Sequence, residues 1–209
     1  FGTLSVPLMA LAISPTHAAG LLLPLLLVMD VFAVKAWWGK QATAEVWRFL
    51  PGLFVGVGVG TVLFGSLSEQ GVRLVLGVIT LLFAAYMLLK PVAKKPISVR
   101  WALPAASVCG FTSFMAHAGA PPINVYLLPR KYPKETFIAT CAVSFAVVNV
   151  IKLGPYIWLG EVNVTSAWAS LLLVPVAWAG VRSGLWLQSR VNETLFFRLV
   201  IVAMFIVGL

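Results

Sequence analysis

The sequence is dominated by apolar runs of about 20 residues, the length that a helix needs to cross a bilayer. Five such runs are Pro15 to Trp37, Val46 to Leu67, Gly71 to Leu89, Pro133 to Leu153 and Trp168 to Leu187, and a slightly short sixth is Thr194 to Leu209. Hydrophobic residues make up 61% of the chain and charged residues 10%, whereas soluble domains carry about 25% charged residues. Since these runs lack the alternation of polar and apolar residues typical of barrel strands, the sequence predicts an all-α integral membrane protein.

The positions of the basic residues predict how these runs are oriented. The chain has 15 Lys and Arg against 6 Asp and Glu, a formal net charge of +9. The bases cluster in three loop regions: Lys35, Lys40 and Arg48; Lys90, Lys94, Lys95 and Arg100; and Arg130, Lys131 and Lys134. Because such loops favour the cytoplasmic side, we expect all three there. The excess charge therefore indicates membrane topology, with the lipid bilayer as a partner and no nucleic acid.

The segment from Trp101 to Leu128 is long enough to cross once, but it begins after Arg100 and ends before Arg130. Both flanks are therefore predicted to be cytoplasmic, so the segment should enter the membrane and return. The string Gly119-Ala120-Pro121-Pro122 interrupts it. Irregular backbone at membrane depth is tolerated only where protein or a water-filled cavity surrounds it, so we expect the site here. A kinked crossing helix followed by a loop is the alternative.

The two halves of the chain, residues 1 to 95 and 100 to 209, show a weak but ordered similarity. Matched positions are Pro51 and Pro175, Gly56 and Gly180, Gly60 and Gly184, and the strings that begin at Arg73 and Arg198. Three crossings in each half would invert the second copy. We therefore predict two inverted repeats, each a re-entrant or broken helix element plus three transmembrane helices, as in many secondary transporters. The matched glycines are expected to allow close helix packing.

The helix N-termini at the two breaks are the predicted anion site, because their free N–H groups and dipoles favour negative charge. The expected substrate-binding residues are Gly2, Thr3, Leu4 and Ser5 at the first break and His117, Gly119, Ala120, Pro121, Pro122, Ile123 and Asn124 at the second. Pro suits a first helical turn, and Gly lets a ligand approach the backbone. Ile123 and Asn124 are expected to supply backbone N–H donors, and the Asn124 side chain a further one. His117 either donates to an anion or makes a structural hydrogen bond.

Ionisable residues inside apolar runs are costly and therefore suggest function. The candidates for coupling or gating are Asp30, Lys35, Asn149, Lys152 and Arg182. Asp30 either carries a coupling proton or pairs with Lys35, and Asn149 is alternatively a packing residue. Lys35 and Lys152 are expected at opposite mouths, where they guide anions or extend to the headgroups. The sequence contains none of the common catalytic or nucleotide-binding motifs, so we expect no enzyme, cofactor or metal.

Short strings in both halves carry a family resemblance. They are Phe1 to Leu8, Ser14-Pro15, Ala18 to Gly20, Ala118 to Pro122 and Lys134 to Phe137. They resemble the TauE/SafE family, also called the toluene sulfonate uptake permease family, over nearly the whole chain. The resemblance implies secondary transport of a small sulfur-containing anion, such as sulfite or an organosulfonate, in a bacterial inner membrane. An anion channel and a non-transporting membrane scaffold are the alternatives. Because the chain starts without Met, we expect part of the first element to precede Phe1.

Overall fold

The computed structural model describes residues 15–68, 70–72, 74–75, 77–78, 97–162, 168, 170, 173–192 and 194–195. This part of the chain is helical and contains no strand, which confirms the all-α prediction. The helices are α1 (Pro15–Trp37), α2 (Thr43–Ser66), α3 (Ala102–Ala116), α4 (Ala120–Leu127), α5 (Lys134–Trp158) and α6 (Val174–Arg190). The 3-10 turns Val99–Trp101 and Leu128–Arg130 stand before α3 and after α4.

Helices α1, α2 and α5 contain stretches long and apolar enough to cross a membrane. These stretches are His17–Trp37, Thr43–Ser66 and Lys134–Trp158. At 1.5 Å per residue they extend over roughly 30 to 38 Å, compared with about 30 Å for the hydrocarbon core. They correspond to the first, second and fourth predicted runs. The fifth run overlaps α6, which begins and ends later than predicted. Most of the third and sixth runs lies outside the described residues.

The outer faces of the long helices are apolar. On α2, Phe54 is 56% exposed, Val59 is 53% exposed and Val62 is 71% exposed. A soluble protein rarely leaves so many large apolar side chains on one surface, whereas a bilayer solvates them. The inner face of α2 carries Phe49, Leu53 and Phe64, which are buried in the core with α3, α4 and α5. The fold is therefore consistent with lipid outside and a protein core inside.

Helices α3 and α4 form a hairpin. Helix α3 runs parallel to α2, since Gly52 of α2 lies near Leu103 and Gly60 lies near Phe114. Beyond residues 117–119 the chain turns back along α4. At the end of this return, Arg130 Nη2 donates to the carbonyl oxygen of Ile97, which precedes α3, at 3.0 Å. A helix that crossed once would separate these two residues, so the chain enters and leaves this segment at one end of the molecule.

Glycines bring α2 and α3 into backbone contact. Gly52, Gly56 and Gly60 stand one turn apart on α2, and Gly110 faces them from α3. A Cβ added at Gly56 would lie 2.0 Å from a backbone oxygen of α3, and one added at Gly110 would lie 2.6 Å from a backbone oxygen of α2. Small residues at a spacing of four are typical of closely packed membrane helices. The packing prediction is confirmed for Gly56 and Gly60.

Helices α1 and α5 run antiparallel. Lys40, just after α1, bonds Glu135 at the start of α5 at 2.8 Å, while Asp30 and Asn149 meet nearer the middle of the two helices. Matched helices of inverted repeats have opposite directions, but most other repeat elements lie outside the described residues. The division into repeats 1–95 and 100–209 therefore stays a prediction. An added Cβ at either Gly180 or Gly184 meets no described atom within 4 Å, so close packing is not found there.

Candidate functional site

The site begins where α3 ends, at a left-handed residue. His117 has φ 51° and ψ 27°, and its N–H donates to the Ser113 carbonyl at 3.0 Å. The next N–H, of Ala118, reaches the Thr112 carbonyl at 3.2 Å, and the Thr112 hydroxyl donates to the Ala118 carbonyl at 3.0 Å. Histidine is among the residues enriched in this conformation. The turn closes α3 and directs the chain into α4 within three residues.

The start of α4 offers fewer free N–H groups than the sequence predicted. Gly119 is the N-cap, and no described side chain caps the helix. Pro121 and Pro122, in the first turn, have no N–H. The donors of this turn that have no acceptor among the described residues are therefore the N–H groups of Gly119 and Ala120. The N–H of Ile123 instead makes the first intrahelical bond, to the N-cap carbonyl. The expectation that Ile123 supplies a free donor is therefore wrong.

The backbone N–H of Asn124 is likewise not a free donor at the break. It lies one residue further inside α4, and the side-chain oxygen of Asn124 accepts a contact from Cys141 Sγ of α5 at 3.8 Å. The predicted backbone N–H donation by Asn124 is wrong for the same reason as that of Ile123. Pro121 and Pro122 are buried in the first turn of α4. These residues shape the break without lining a cavity beside it.

A cavity of about 240 Å³ lies beside the break, between α1, α5 and the hairpin. Five residues predicted from the sequence line it: Asp30, His117, Gly119, Ala120 and Asn149. Ser113, which the sequence did not single out, also lines it, and the rest of the wall is mostly apolar. The break therefore borders a small cavity with a few polar groups, as expected of a binding site for a small molecule.

Asp30 and Asn149 are in contact on the wall of this cavity. Asn149 Nδ2 donates to Asp30 Oδ2 at 2.7 Å, which joins α1 to α5. Asp30 also lines a wider opening along α1 that includes Lys35. The hydrogen bond that the structure gives Asp30 is the one from Asn149, and Lys35 is exposed near the end of α1. The described residues show no ion pair between Asp30 and Lys35, one of the two roles predicted for Asp30. The carboxylate is instead held by Asn149.

Lys152 is fully buried behind the break. Its ammonium donates to the Ser113 carbonyl at 3.1 Å, to Ser113 Oγ at 3.2 Å and to His117 Nδ1 at 2.8 Å. His117 Nε2 lies 2.9 Å from the carbonyl oxygen of Ala19 in α1. The expectation that Lys152 stands at an outer mouth is wrong, because its side chain points into the hairpin. The network ties α1, α3 and α5 together.

The remaining predicted site residues lie elsewhere. Arg182 is exposed on α6, where its guanidinium carbon lies 5.6 Å from the centre of the Trp178 ring. Gly2, Thr3, Leu4 and Ser5 lie outside the described residues, so the first of the two paired breaks is not part of the described site. What the structure brings together is therefore the second break with Asp30, Asn149 and Lys152.

Sequence reasoning also missed a buried carboxylate at the start of α2. Glu45 is 2% exposed. Its oxygens accept from Arg48 at 3.0 Å, Arg130 at 3.1 Å, Tyr126 at 3.1 Å and Tyr132 at 3.0 Å. Burial and the hydrogen bond to Glu45 raise the pKa of Tyr132, which keeps its phenol a donor. The sequence did carry a signal for this carboxylate, since Glu45 lies between Lys40 and Arg48 in a basic loop. We call these five residues the Glu45 cluster.

A partly polar cavity between helices of membrane-spanning length, at the break of a helical hairpin, is an arrangement found in membrane transport proteins. The family model described as Sulfite exporter TauE/SafE matches residues 1–209, the whole chain. The chain belongs to this family of multi-pass membrane transporters, which confirms the resemblance found in the sequence. Searches among curated proteins and among solved structures each found no match.

Proposed function

We propose that the protein is a secondary transporter of a small sulfur-containing anion, sulfite or an organosulfonate, and that it works by alternating access in a bacterial inner membrane. The observation that carries the proposal is the cavity at the break, which Gly119 and Ala120 line together with Ser113 and His117, the two residues that the buried Lys152 ammonium contacts. The N–H groups of Gly119 and Ala120 and the Lys152 ammonium give positive potential at membrane depth. The family's sulfur substrates supply the chemical class.

The size of the cavity supports a small substrate. A water molecule occupies about 30 Å³ of the liquid, so a cavity of about 240 Å³ holds roughly eight. A small oxyanion or a short organosulfonate with a few waters fits this space. The volume of the cavity is therefore consistent with a small substrate.

The charges around the cavity favour the movement of an anion together with a proton. The buried Lys152 ammonium attracts an anion, whereas an ionised Asp30 on the cavity wall repels it. Charges act strongly on one another in surroundings of low dielectric constant. A proton on Asp30 removes the repulsion, so substrate and proton bind more favourably together than separately. We therefore assign the coupling site to Asp30, with Asn149 as its hydrogen-bond donor.

Transport is tested with purified protein in liposomes. We expect saturable uptake of radiolabelled sulfite or of a short alkanesulfonate, accelerated when unlabelled substrate is loaded inside. An anion channel would conduct without this counterflow. A membrane scaffold would give no flux at all, and the polar cavity at the break argues against it. If neither anion moves under any imposed gradient, the proposed function is wrong.

Coupling is tested with Asp30→Asn, which keeps the size of the side chain and removes its charge. We expect this variant to exchange substrate across the membrane but to lose accumulation driven by a proton gradient. Glu135→Gln is the matched control, because Glu135 is exposed and lies outside the cavity. Accumulation at the wild-type level in Asp30→Asn would place the coupling site elsewhere, while the transport function itself would stand.

A further inference from the structure

The contacts of Lys152 determine which hydrogen atoms point into the cavity. An ammonium group has three donors and no acceptor. All three donors of Lys152 are occupied, by the Ser113 carbonyl, by Ser113 Oγ and by His117 Nδ1. Lys152 is also 0% exposed and does not line the cavity. Its charge therefore reaches a ligand only through space and through the groups that it orients.

His117 has no donor left for a ligand. Its Nε2 faces the Ala19 carbonyl, which can only accept, so Nε2 carries the hydrogen. In a neutral imidazole the other nitrogen is then an acceptor, and Nδ1 accepts from Lys152 at 2.8 Å. The tautomer follows from this hydrogen-bond network. Of the two roles predicted for His117, the network supports the structural one.

Ser113, in contrast to His117, still has a hydrogen-bond donor, because its hydroxyl hydrogen has no acceptor among the described residues. Its Oγ accepts from Lys152, and no described oxygen or nitrogen accepts from its O–H. Other hydroxyls of these helices donate back to the carbonyl four residues earlier, as Ser107 does to Leu103 at 3.0 Å and Thr140 does to Thr136 at 2.6 Å. Ser113 is only 4% exposed and lines the cavity, so its hydrogen is available to a ligand there.

We propose that Ser113 is a substrate-binding residue whose O–H donates to an oxygen of the anion, and that Lys152 is the positioning residue that holds this hydroxyl in its donor orientation. The proposal rests on the proposed function and deepens it. Gly119 is adjacent, since a Cβ built on it would lie 3.0 Å from Ser113 Cβ. The hydroxyl and the free N–H groups of Gly119 and Ala120 then form one donor set, which suits a ligand with several acceptor oxygens.

The first test is the dissociation constant of the full chain for sulfite, measured by calorimetry in lipid nanodiscs. Loss of a hydrogen bond to a charged group reduces the free energy of binding enough to raise the dissociation constant about ten- to hundredfold. We expect this loss of affinity in the folded Ser113→Ala variant, together with a lower unfolding temperature without ligand, because the buried Lys152 loses one of its acceptors. Ser107→Ala is the matched control, because its hydroxyl lies on the same helix and donates to the backbone; it should bind sulfite like the wild type.

The second test separates positioning by Lys152 from a general structural role. Lys152→Gln should weaken sulfite binding at least as much as Ser113→Ala does. If Lys152 acts through Ser113, adding Ser113→Ala to Lys152→Gln causes little further loss, whereas independent effects add. Additive losses would overturn the positioning role. A purely structural role would lower the ligand-free unfolding temperature and leave the dissociation constant of the folded protein unchanged.

The outcomes for the two proposals are distinct. If the wild type binds and transports sulfite and Ser113→Ala does so equally well, the role of Ser113 is wrong and the proposed function stands. If Ser113→Ala does not fold, Ser113→Cys replaces it, since a thiol of similar shape is a weaker donor; wild-type affinity there would also overturn the inference. If the wild type neither binds nor moves sulfite or a short alkanesulfonate, both proposals fail.

Discussion

Two buried charges, Glu45 and Lys152, each have a full set of hydrogen-bond partners. Glu45 accepts from two arginines and two tyrosines, and Lys152 donates to three acceptors on the hairpin. A buried charge is tolerated only when it is paired and hydrogen-bonded. Neither partner set could be predicted from the sequence, because each joins residues distant in the chain. The position of Lys152 inside an apolar run indicated that this residue was unusual, but it did not indicate which residues Lys152 contacts.

Glu45→Ala should strongly destabilise the fold. Arg130, whose side chain is 9% exposed, would lose its carboxylate, and breaking a buried pair costs about 3 to 5 kcal/mol in the free energy of unfolding. Unfolding in lipid nanodiscs, followed by circular dichroism, measures this. Glu135→Ala removes an exposed pair with Lys40 and should cost at most about 1 kcal/mol. Equal effects of the two substitutions would contradict a structural role for the Glu45 cluster.

Substitutions at His117 should differ according to two properties of the position. Asn tolerates the left-handed backbone found there and offers an oxygen to Lys152, whereas Leu does neither. His117→Leu should therefore lower the free energy of unfolding by about 1 to 3 kcal/mol more than His117→Asn, because a buried donor loses its acceptor. Unfolding without ligand is the measurement. Equal stability of the two variants would show that neither the backbone conformation nor the contact with Lys152 matters.

At the scale of helices, the sequence predicted the long elements well and the break in part. Runs of apolar residues located α1, α2 and α5, because crossing a bilayer demands length and composition that are visible in one dimension. Gly119, Pro121 and Pro122 likewise indicated the break. What failed was the position of free N–H groups, since α4 begins at Ala120 and Ile123 is already inside it. Helix boundaries are uncertain by one or two residues, and here that shift decides which groups are donors.

The contact between α2 and α3 gives a prediction at this scale. Gly56→Ala should lower the unfolding temperature, because the new Cβ would lie 2.0 Å from a backbone oxygen of α3, so the two helices would have to separate. Gly58→Ala is the control: it lies on the exposed face of the same helix, where an added Cβ meets no described atom within 4 Å. Alanine favours a helix over glycine, so Gly58→Ala should be neutral or stabilising. Similar effects at both sites would contradict the packing.

At the scale of the whole molecule, described basic residues gather at one end. Lys40 pairs with Glu135, Arg130 bonds Ile97, and Lys134 Nζ donates to the Val191 carbonyl at 2.7 Å beyond α6. Helices α1 and α6 end here, α2, α3 and α5 begin here, and the hairpin returns here. Since such residues favour the cytoplasmic side of a membrane, we expect this end in the cytoplasm. The charge pattern of the sequence and the packing of the helices agree on this point.

This orientation is tested by labelling single introduced cysteines with a reagent that cannot cross membranes. Ser98→Cys and Lys131→Cys stand at the two ends of the hairpin and should react only from the cytoplasmic side. Ser66→Cys, at the far end of α2, should react only from the other side. The chain without an introduced cysteine is treated with the same reagent and gives the background labelling, since it still contains the buried Cys109 and the half-buried Cys141. Opposite labelling of Ser98→Cys and Lys131→Cys would contradict a re-entrant hairpin in the membrane.

The backbone contact between α2 and the hairpin limits how the cavity can open. The glycines fix α2 against α3 along its length, and the Glu45 cluster fixes both ends of the hairpin to the start of α2. In the described part of the chain, the cavity walls on α1 and α5 have no comparable glycine contact with the break. They meet α2 and the hairpin through hydrogen bonds at Ala19, Lys152 and Tyr156 and through side-chain packing such as that of Tyr156 on Phe114. We infer that, under the alternating access proposed above, α1 and α5 move relative to α2 and the hairpin, with side-chain contacts rather than backbone packing broken in each cycle.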